Sequence, residues 1–160
     1  MSRDIESKKR YGFRRLFNKI LQAIAKSSLL SGYMRARLQK LRGVNFDDVS
    51  TIFLGEDVMI DGICPENVTI KNGCQIAAGT KIVTHFYDNK ELSENKDYHF
   101  RFYQGKVLIE ENVFIGFNCV IAKPVSIGKN SVLGANTVIT KDVPPDSIIV
   151  LPESINLKKV

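Results

Sequence analysis

The chain has no tryptophan, two histidines, three cysteines and five prolines in 160 residues. Two histidines are too few for the imidazole cluster of a β-helical zinc enzyme. Cys64, Cys74 and Cys119 form no CxxC pair and are odd in number, so neither a disulfide framework nor a zinc site is expected. No metal is expected at all. No apolar run approaches the roughly 20 residues of a membrane span. The N-terminal MSRDIESKKRYGF carries no apolar core behind its basic residues, and a secretory signal is not expected. No nucleic-acid-reading motif occurs, and no nucleic-acid partner is expected. These absences leave a single-domain, reduced, cytoplasmic protein.

Negative charge is scarce in one region only. Residues 1–42 hold twelve Lys/Arg against two Asp/Glu, whereas residues 43–160 hold eleven against fifteen. Within the basic region, Phe13, Leu16, Phe17, Ile20, Leu21 and Ile24 recur at helical spacing. Ser27-Ser28 and Ser31-Gly32 interrupt the pattern. Met34, Leu38 and Leu41 form a second stripe ending near Gly43. Residues 1–45 therefore read as a basic amphipathic helical arm. One reading lays it on an anionic membrane as a peripheral contact. The other makes it a helical cap with a solvated basic face, and the sequence favours that one.

Residues 46–160 read as a different kind of domain. Ile109, Ile115, Ile121, Ile127, Leu133 and Ile139 recur every six positions. The next residue is usually small (Gly116, Ala122, Gly128, Gly134), and the fifth of each block is compact (Val113, Cys119, Val125, Ser131, Thr137, Val143). A period of six fits neither a helix nor a flat strand. It fits a β-helix of three-sided coils, mostly β, with the aliphatic inside. The small residue is expected to turn the corner. Earlier blocks start at Leu54 and Ile60, slip by four residues, and resume at Ile70, Ile76 and Ile82. Ile82 to Ile109 is not a multiple of six, so a loop of about 86–106 is thrown out, and a loop this long is usually functional.

His85 stands where the coil gives way to that loop, and His99 stands inside it. Imidazole is the usual proton carrier near neutral pH. Asp61 and Glu66 precede His85 by one to two coils. Either is a candidate to orient the ring or to contact a substrate, and Asp61 is equally placed to cap a turn. Asp88 and Glu91, in the loop, are candidates to bind substrate hydroxyls.

The stretches FLGEDVMIDGICPENVTIKNG, IAAGTKIVTH, VLIEENVFIGFNCVIAKPVSIG and SVLGANTVITKDVPPDSIIV together resemble the hexapeptide-repeat acetyltransferases of the left-handed β-helix superfamily. The likeness covers about residues 50–148 and is nearest the maltose and galactoside O-acetyltransferases and the polysaccharide-biosynthesis branch. It implies a left-handed parallel β-helix with an N-terminal helical segment, working as a homotrimer with the active site between subunits. It implies acetyl-CoA as acyl donor and a hydroxyl of a sugar or glycan precursor as acceptor. His85 takes the place of the general base, and Phe117, Ala135, Thr140 and Lys141 take the places of coenzyme contacts. Asp61, Glu66 and Asp88 are then the substrate-side candidates. An N-acetyltransferase of an amino-sugar nucleotide, with the same coenzyme and base, is the alternative. Three places depart from the family pattern: Phe114 replaces a common Trp, Phe117 replaces a common small residue, and the tail VLPESINLKKV lacks the usual glycine.

Overall fold

The computed structural model describes residues 13–87 and 102–151. Two helices come first, α1 (Phe13–Ala25) and α2 (Gly32–Arg42). The Ser31 hydroxyl caps α2 by accepting from Met34 N. Gly43 ends the helix at φ 111°, a left-handed conformation that favours glycine.

The chain then winds as a left-handed β-helix. The first coil comprises β1 (Asn45–Phe46), β2 (Phe53–Leu54) and β3 (Met59–Ile60), and the second β4 (Val68–Ile70), β5 (Gln75–Ile76) and β6 (Lys81–Ile82). A hairpin follows, β7 (His85–Tyr87) paired antiparallel with β8 (Phe102–Gln104). It carries the extruded segment, most of which lies outside the described residues. The third coil is β9 (Val107–Ile109), β10 (Phe114–Ile115) and β11 (Val120–Ile121), and the fourth is β12 (Ser126–Ile127), β13 (Val132–Leu133) and β14 (Val138–Ile139). Val143 bridges Ile127, and β15 (Ile148–Ile149) adds to β13. Equivalent strands stack in parallel as three sheets, β1-β4-β9-β12, β2-β5-β10-β13-β15 and β3-β6-β11-β14.

The sixfold aliphatics fill the prism. Ile109, Ile115, Ile121, Ile127 and Leu133 are 0% exposed and Ile139 is 4% exposed. Ile115 sits over Ile76 and Leu133, and Ile121 over Ile82 and Ile139. The fifth-position residues form the rest of the core, with Ser131 and Thr137 buried among them. Their hydroxyls reach backbone carbonyls, Ser131 Oγ to Pro144 O and Thr137 Oγ1 to Gly134 O at 2.9 Å each. All three cysteines are free and buried. Burial pushes the Cys74 thiol up to about 11, and it donates to Glu110 O.

The corners correct one expectation. Left-handed backbone falls on the fourth residue of the block, at Asn112, Asn118, Asn130 and Asn136, with φ of 55–62°. Asparagine tolerates that region through its short polar side chain. These four residues also ladder up the prism in two pairs, Asn112 Nδ2 to Asn130 Oδ1 being 3.3 Å and Asn118 stacking below Asn136 in register. The residue after the aliphatic is small for another reason. A Cβ on Gly116 would lie 2.7 Å from Ala135 N, and one on Gly128 2.4 Å from Pro145 N. Successive coils approach too closely there for a side chain.

The first coil has a problem the others lack. Each inner coil accepts on its carbonyls the N–H groups of the coil before it: Gly55 N donates to Ile76 O, Met59 N to Thr80 O and Asp61 N to Ile82 O. Leu54, Val58 and Ile60 hold the same register one coil earlier, with no strand before them. Side chains of the helices replace that strand. Arg35 Nη1 donates to Leu54 O at 3.1 Å, Gln22 Nε2 to Val58 O at 3.1 Å, and Arg42 Nη1 to Ile60 O at 3.0 Å. An unpaired buried carbonyl costs about 1–3 kcal/mol, so the cap must present donors.

That requirement inverts the helices relative to the apolar stripes. In α2 the buried positions are Gly32, Arg35, Ala36, Gln39 and Arg42, while Met34 and Leu41 are 49% and 66% exposed. In α1 Asn18, Leu21 and Ala25 face in, whereas Phe13, Leu16, Phe17, Ile20 and Ile24 are exposed. The arm is a cap whose packing face sets polar donors beside Leu21, Ala25 and Ala36, while most of its large apolar side chains face out. No described helix is long and apolar enough to cross a membrane.

Candidate active site

The four-residue slip in the repeat builds this site. Between β3 and β4 the chain takes ten steps from Ile60 to Ile70 where a regular block takes six. The extra residues form a bend at Asp61–Cys64 and a 3-10 turn at Pro65–Asn67. Asp61 closes the bend: its Oδ1 accepts from Ile63 N at 2.7 Å and Cys64 N at 2.9 Å. Its Oδ2 accepts from Thr84 N at 2.7 Å, Thr84 Oγ1 at 2.8 Å and His85 Nδ1 at 2.6 Å. Five donors surround a carboxylate that is 1% exposed. Burial alone would raise its pKa. The backbone N–H groups of Cys64, Ile63 and Thr84, with His85, outweigh burial and hold it at about 2.

The ionised carboxylate fixes the tautomer of His85. Nδ1 carries the proton and donates it to Asp61, which leaves the lone pair on Nε2. The ring is partly exposed, 28% by side chain, against 0% for its partner. A buried anion, an oriented imidazole and a solvent-reachable ring are the parts of an activated general base.

Behind Asp61 stands Arg42. Its Nη2 donates to Asp61 O at 2.8 Å and its Nη1 to Ile60 O, so one guanidinium grips the end of β3 from which Asp61 projects. Gln22 Oε1 and Gln39 Oε1 share the Nη1 protons with Ile60 O, and Asn18 O accepts from Nε. Arg42 is 1% exposed. Burial lowers its pKa to about 10, and the field of Asp61 partly restores it.

Asp61 was a candidate to orient the ring, to contact substrate or to cap a turn. Its burial and its full set of donors fit the first and third of these, for it caps the bend and contacts the ring at once, and they leave it no exposed oxygen for a substrate. Glu66 is exposed in the 3-10 turn of the same corner. Asp88, Glu91 and His99 lie outside the described residues. Thr140 and Lys141 are exposed on the edge of the prism that also carries Thr84 and His85, two coils further on. Phe117 (59% exposed) and Ala135 stack in register on a different edge, between the sheets of β10 and β11. One protomer therefore does not bring those two to His85. The sequence reading missed Thr84 and Arg42. Thr84 carries no distinguishing spacing. Arg42 had one signal: with Arg35 and Gln39 it makes a polar stripe at helical spacing.

Comparison with known proteins fits this geometry. The description "hexapeptide repeat of succinyl-transferase" matches residues 106–141. A hexapeptide-repeat-containing acetyltransferase from Vibrio cholerae superposes with a TM-score of 0.60 at 28% identity, covering 84% of each chain. A second structure of that protein holds acetyl coenzyme A, with a TM-score of 0.58 at 27% identity over 84% of this chain and 80% of that one. The chain is similar in fold and in repeat to the hexapeptide-repeat acetyltransferases. The bifunctional protein GlmU of Syntrophomonas wolfei is 36% identical over 123 residues, which are 74% of this chain and 24% of that protein. The chain thus spans about a quarter of the length of that curated relative. The chain has its one described histidine at the corner where the repeat breaks.

Proposed function

We propose that the protein transfers an acetyl group from acetyl-CoA to a hydroxyl of a sugar or glycan precursor, with His85 as the general base. The observation that carries this reading is the 2.6 Å contact between His85 Nδ1 and the buried Asp61. A sugar hydroxyl is a poor nucleophile until a positioned base removes its proton as it attacks. His85 Nε2 takes that proton, and the hydroxyl oxygen adds to the thioester carbonyl of acetyl-CoA. The tetrahedral intermediate expels coenzyme A thiolate, which receives the proton from the imidazolium. Asp61 stabilises the cationic ring in between without itself becoming protonated, since its own proton affinity is far lower. No covalent intermediate on the protein is needed. Among the described residues no group of side chains is arranged to hold a metal.

The working unit in this reading is a homotrimer. The candidate coenzyme contacts divide between two edges of one prism, Phe117 and Ala135 on one and Thr140 and Lys141 with His85 on another. Side-by-side prisms would set the first edge of one protomer against the second edge of its neighbour. The extruded hairpin beside His85 is the natural place for acceptor selection.

The test is coenzyme A release from acetyl-CoA across a panel of hexopyranosides, oligosaccharides and amino-sugar nucleotides. One or more hydroxyl acceptors should turn over, and His85→Ala should lower kcat by about 10²–10⁴-fold without loss of the folded oligomer. Turnover restricted to amino acceptors would replace O- by N-acetylation. A fully active His85→Ala protein would remove the base from the mechanism.

A further inference from the structure

We infer that the outer face of α1 docks on an anionic lipid bilayer, with the helix lying in the plane of the surface. Phe13, Leu16, Phe17, Ile20 and Ile24 are 84%, 58%, 43%, 50% and 46% exposed. They share one stripe of a single helix, and it is not the stripe that packs. Leu29, 93% exposed in the turn after α1, is a further outward apolar group. A run of large exposed apolar side chains at helical spacing marks an interaction surface, because scattered single ones do not line up.

Three occupants are conceivable, and charge decides among them. The segments outside the described residues read MSRDIESKKRYG, DNKELSENKDYHFR and PESINLKKV. None presents a stripe of large apolar groups able to cover five. A second copy packed arm against arm would bring a region of twelve Lys/Arg and two Asp/Glu against its like. Repulsion opposes that pairing. A bilayer with anionic headgroups is complementary on both counts. Its acyl boundary takes the apolar stripe, and its phosphates face Arg14 and Lys19, which are exposed on the same helix. The helix carries no acidic residue in its sequence FRRLFNKILQAIA. Lys26 is partly committed already, with Nζ 2.9 Å from Asp57 Oδ1. Because the cap satisfies the prism through its opposite side, docking requires no rearrangement of the fold.

This inference does not rest on the acetyl-transfer reading and is tested apart from it. The full-length protein is sedimented with phosphatidylcholine vesicles and with vesicles containing about one-third phosphatidylglycerol. It should co-sediment with the anionic vesicles, weakly with the neutral ones, and less as salt is raised. Phe17→Ser with Ile20→Ser should weaken binding at least about tenfold. Arg14→Gln and Lys19→Gln should weaken it roughly fivefold each. All four positions are exposed, so melting and turnover of a soluble acceptor should not change. Absence of binding to anionic vesicles would overturn the inference. So would equal binding to both vesicle types, or binding indifferent to the Phe17/Ile20 pair. If that pair instead lowers the mass of the oligomer by light scattering, the face belongs to a second copy and the inference fails.

Discussion

The solenoid and its helical cap obey the same physics and come out facing opposite ways. In the solenoid every sixth residue is aliphatic and turns inward, where Ile109, Ile115, Ile121 and Ile127 are fully buried. In the cap the apolar residues recur just as regularly, yet most of the large ones turn outward, and arginine and glutamine face the prism beside Leu21, Ala25 and Ala36. The difference lies in what each surface meets. A strand inside the stack has its backbone partnered by the coils on both sides, so only side-chain burial is left to decide. The open end of the first coil offers unpartnered carbonyls at Leu54, Val58 and Ile60. Donors win there over methyl groups, because a stranded acceptor costs more than one aliphatic side chain gains on partial burial. Hydrophobic periodicity thus says which residues share a face. The hydrogen-bond state of the opposing surface says which way that face points.

The largest effect is expected where the two regions meet. Asp61 projects from the first coil, is gripped from behind by Arg42 and holds His85. Asp61→Asn puts an amide among five donors and removes the acceptor that fixes the imidazole tautomer. Turnover should fall by about 10³–10⁴-fold, and steady-state kinetics on the folded variant would show it. The same change should flatten the acid limb of stability. The folded carboxyl titrates near 2, below its ordinary value of 3.8, so it stabilises the fold above pH 4. That contribution, about 2–3 kcal/mol, is lost as pH falls from about 4 toward 2. Chemical denaturation at stepped pH should show this loss in the native protein and not in Asp61→Asn. If the variant retains the native acid limb, another carboxylate is responsible for it.

Next come paired substitutions on either side of the comparison. Ile121→Ala empties a fully buried slot and should cost about 2–5 kcal/mol in denaturant unfolding. Arg42→Met keeps similar volume in the cap but withdraws donors from Ile60 O and Asp61 O. If burial were what the cap supplies, methionine would be tolerated. The expected loss is instead about 2–4 kcal/mol, from two stranded carbonyls, together with a lower kcat because the Asp61 backbone is no longer held. A stable, active Arg42→Met protein would break the account of the cap.

These contrasts also explain what was legible in advance. The coil repeat, its stacking register and the buried aliphatics follow from a period of six, because nothing but packing opposes the interior. The corner that carries the candidate site was legible too, since the four-residue slip at 61–67 and the break after His85 are departures from that period. Other features were not legible. The corner was assigned to Gly116 and Gly128, while the left-handed residues are Asn118 and Asn130. Asparagine at the fourth position of four of the six blocks was visible, but glycine was given the conformational role when its task is close coil contact. Arg42 and the inward polar stripe depend on carbonyls that exist only once the prism has an end, and no local pattern encodes them. Asp61 was seen as a candidate, and only the fold distinguishes a buried orienting anion from an exposed substrate ligand.

The smallest effect is the sharpest discriminator between the two regions. Isoleucine at position 20 and isoleucine at position 121 belong to equally regular apolar series, so sequence pattern assigns them equal weight. In the structure Ile20 is 50% exposed and Ile121 is 0% exposed. Ile20→Ala removes a side chain that stays half in water, so much less transfer energy is at stake than at Ile121. Alanine is also the better helix former, by a few tenths of a kcal/mol, because isoleucine loses rotamer freedom against the preceding turn. The two terms nearly cancel. The change in stability should lie within about 0.5 kcal/mol, which for a chain of this size moves the melting temperature by roughly 1–2 °C. A cost resembling that of Ile121→Ala would mean that the outer face of α1 is covered in solution, and the inverted orientation of the cap would have to be abandoned.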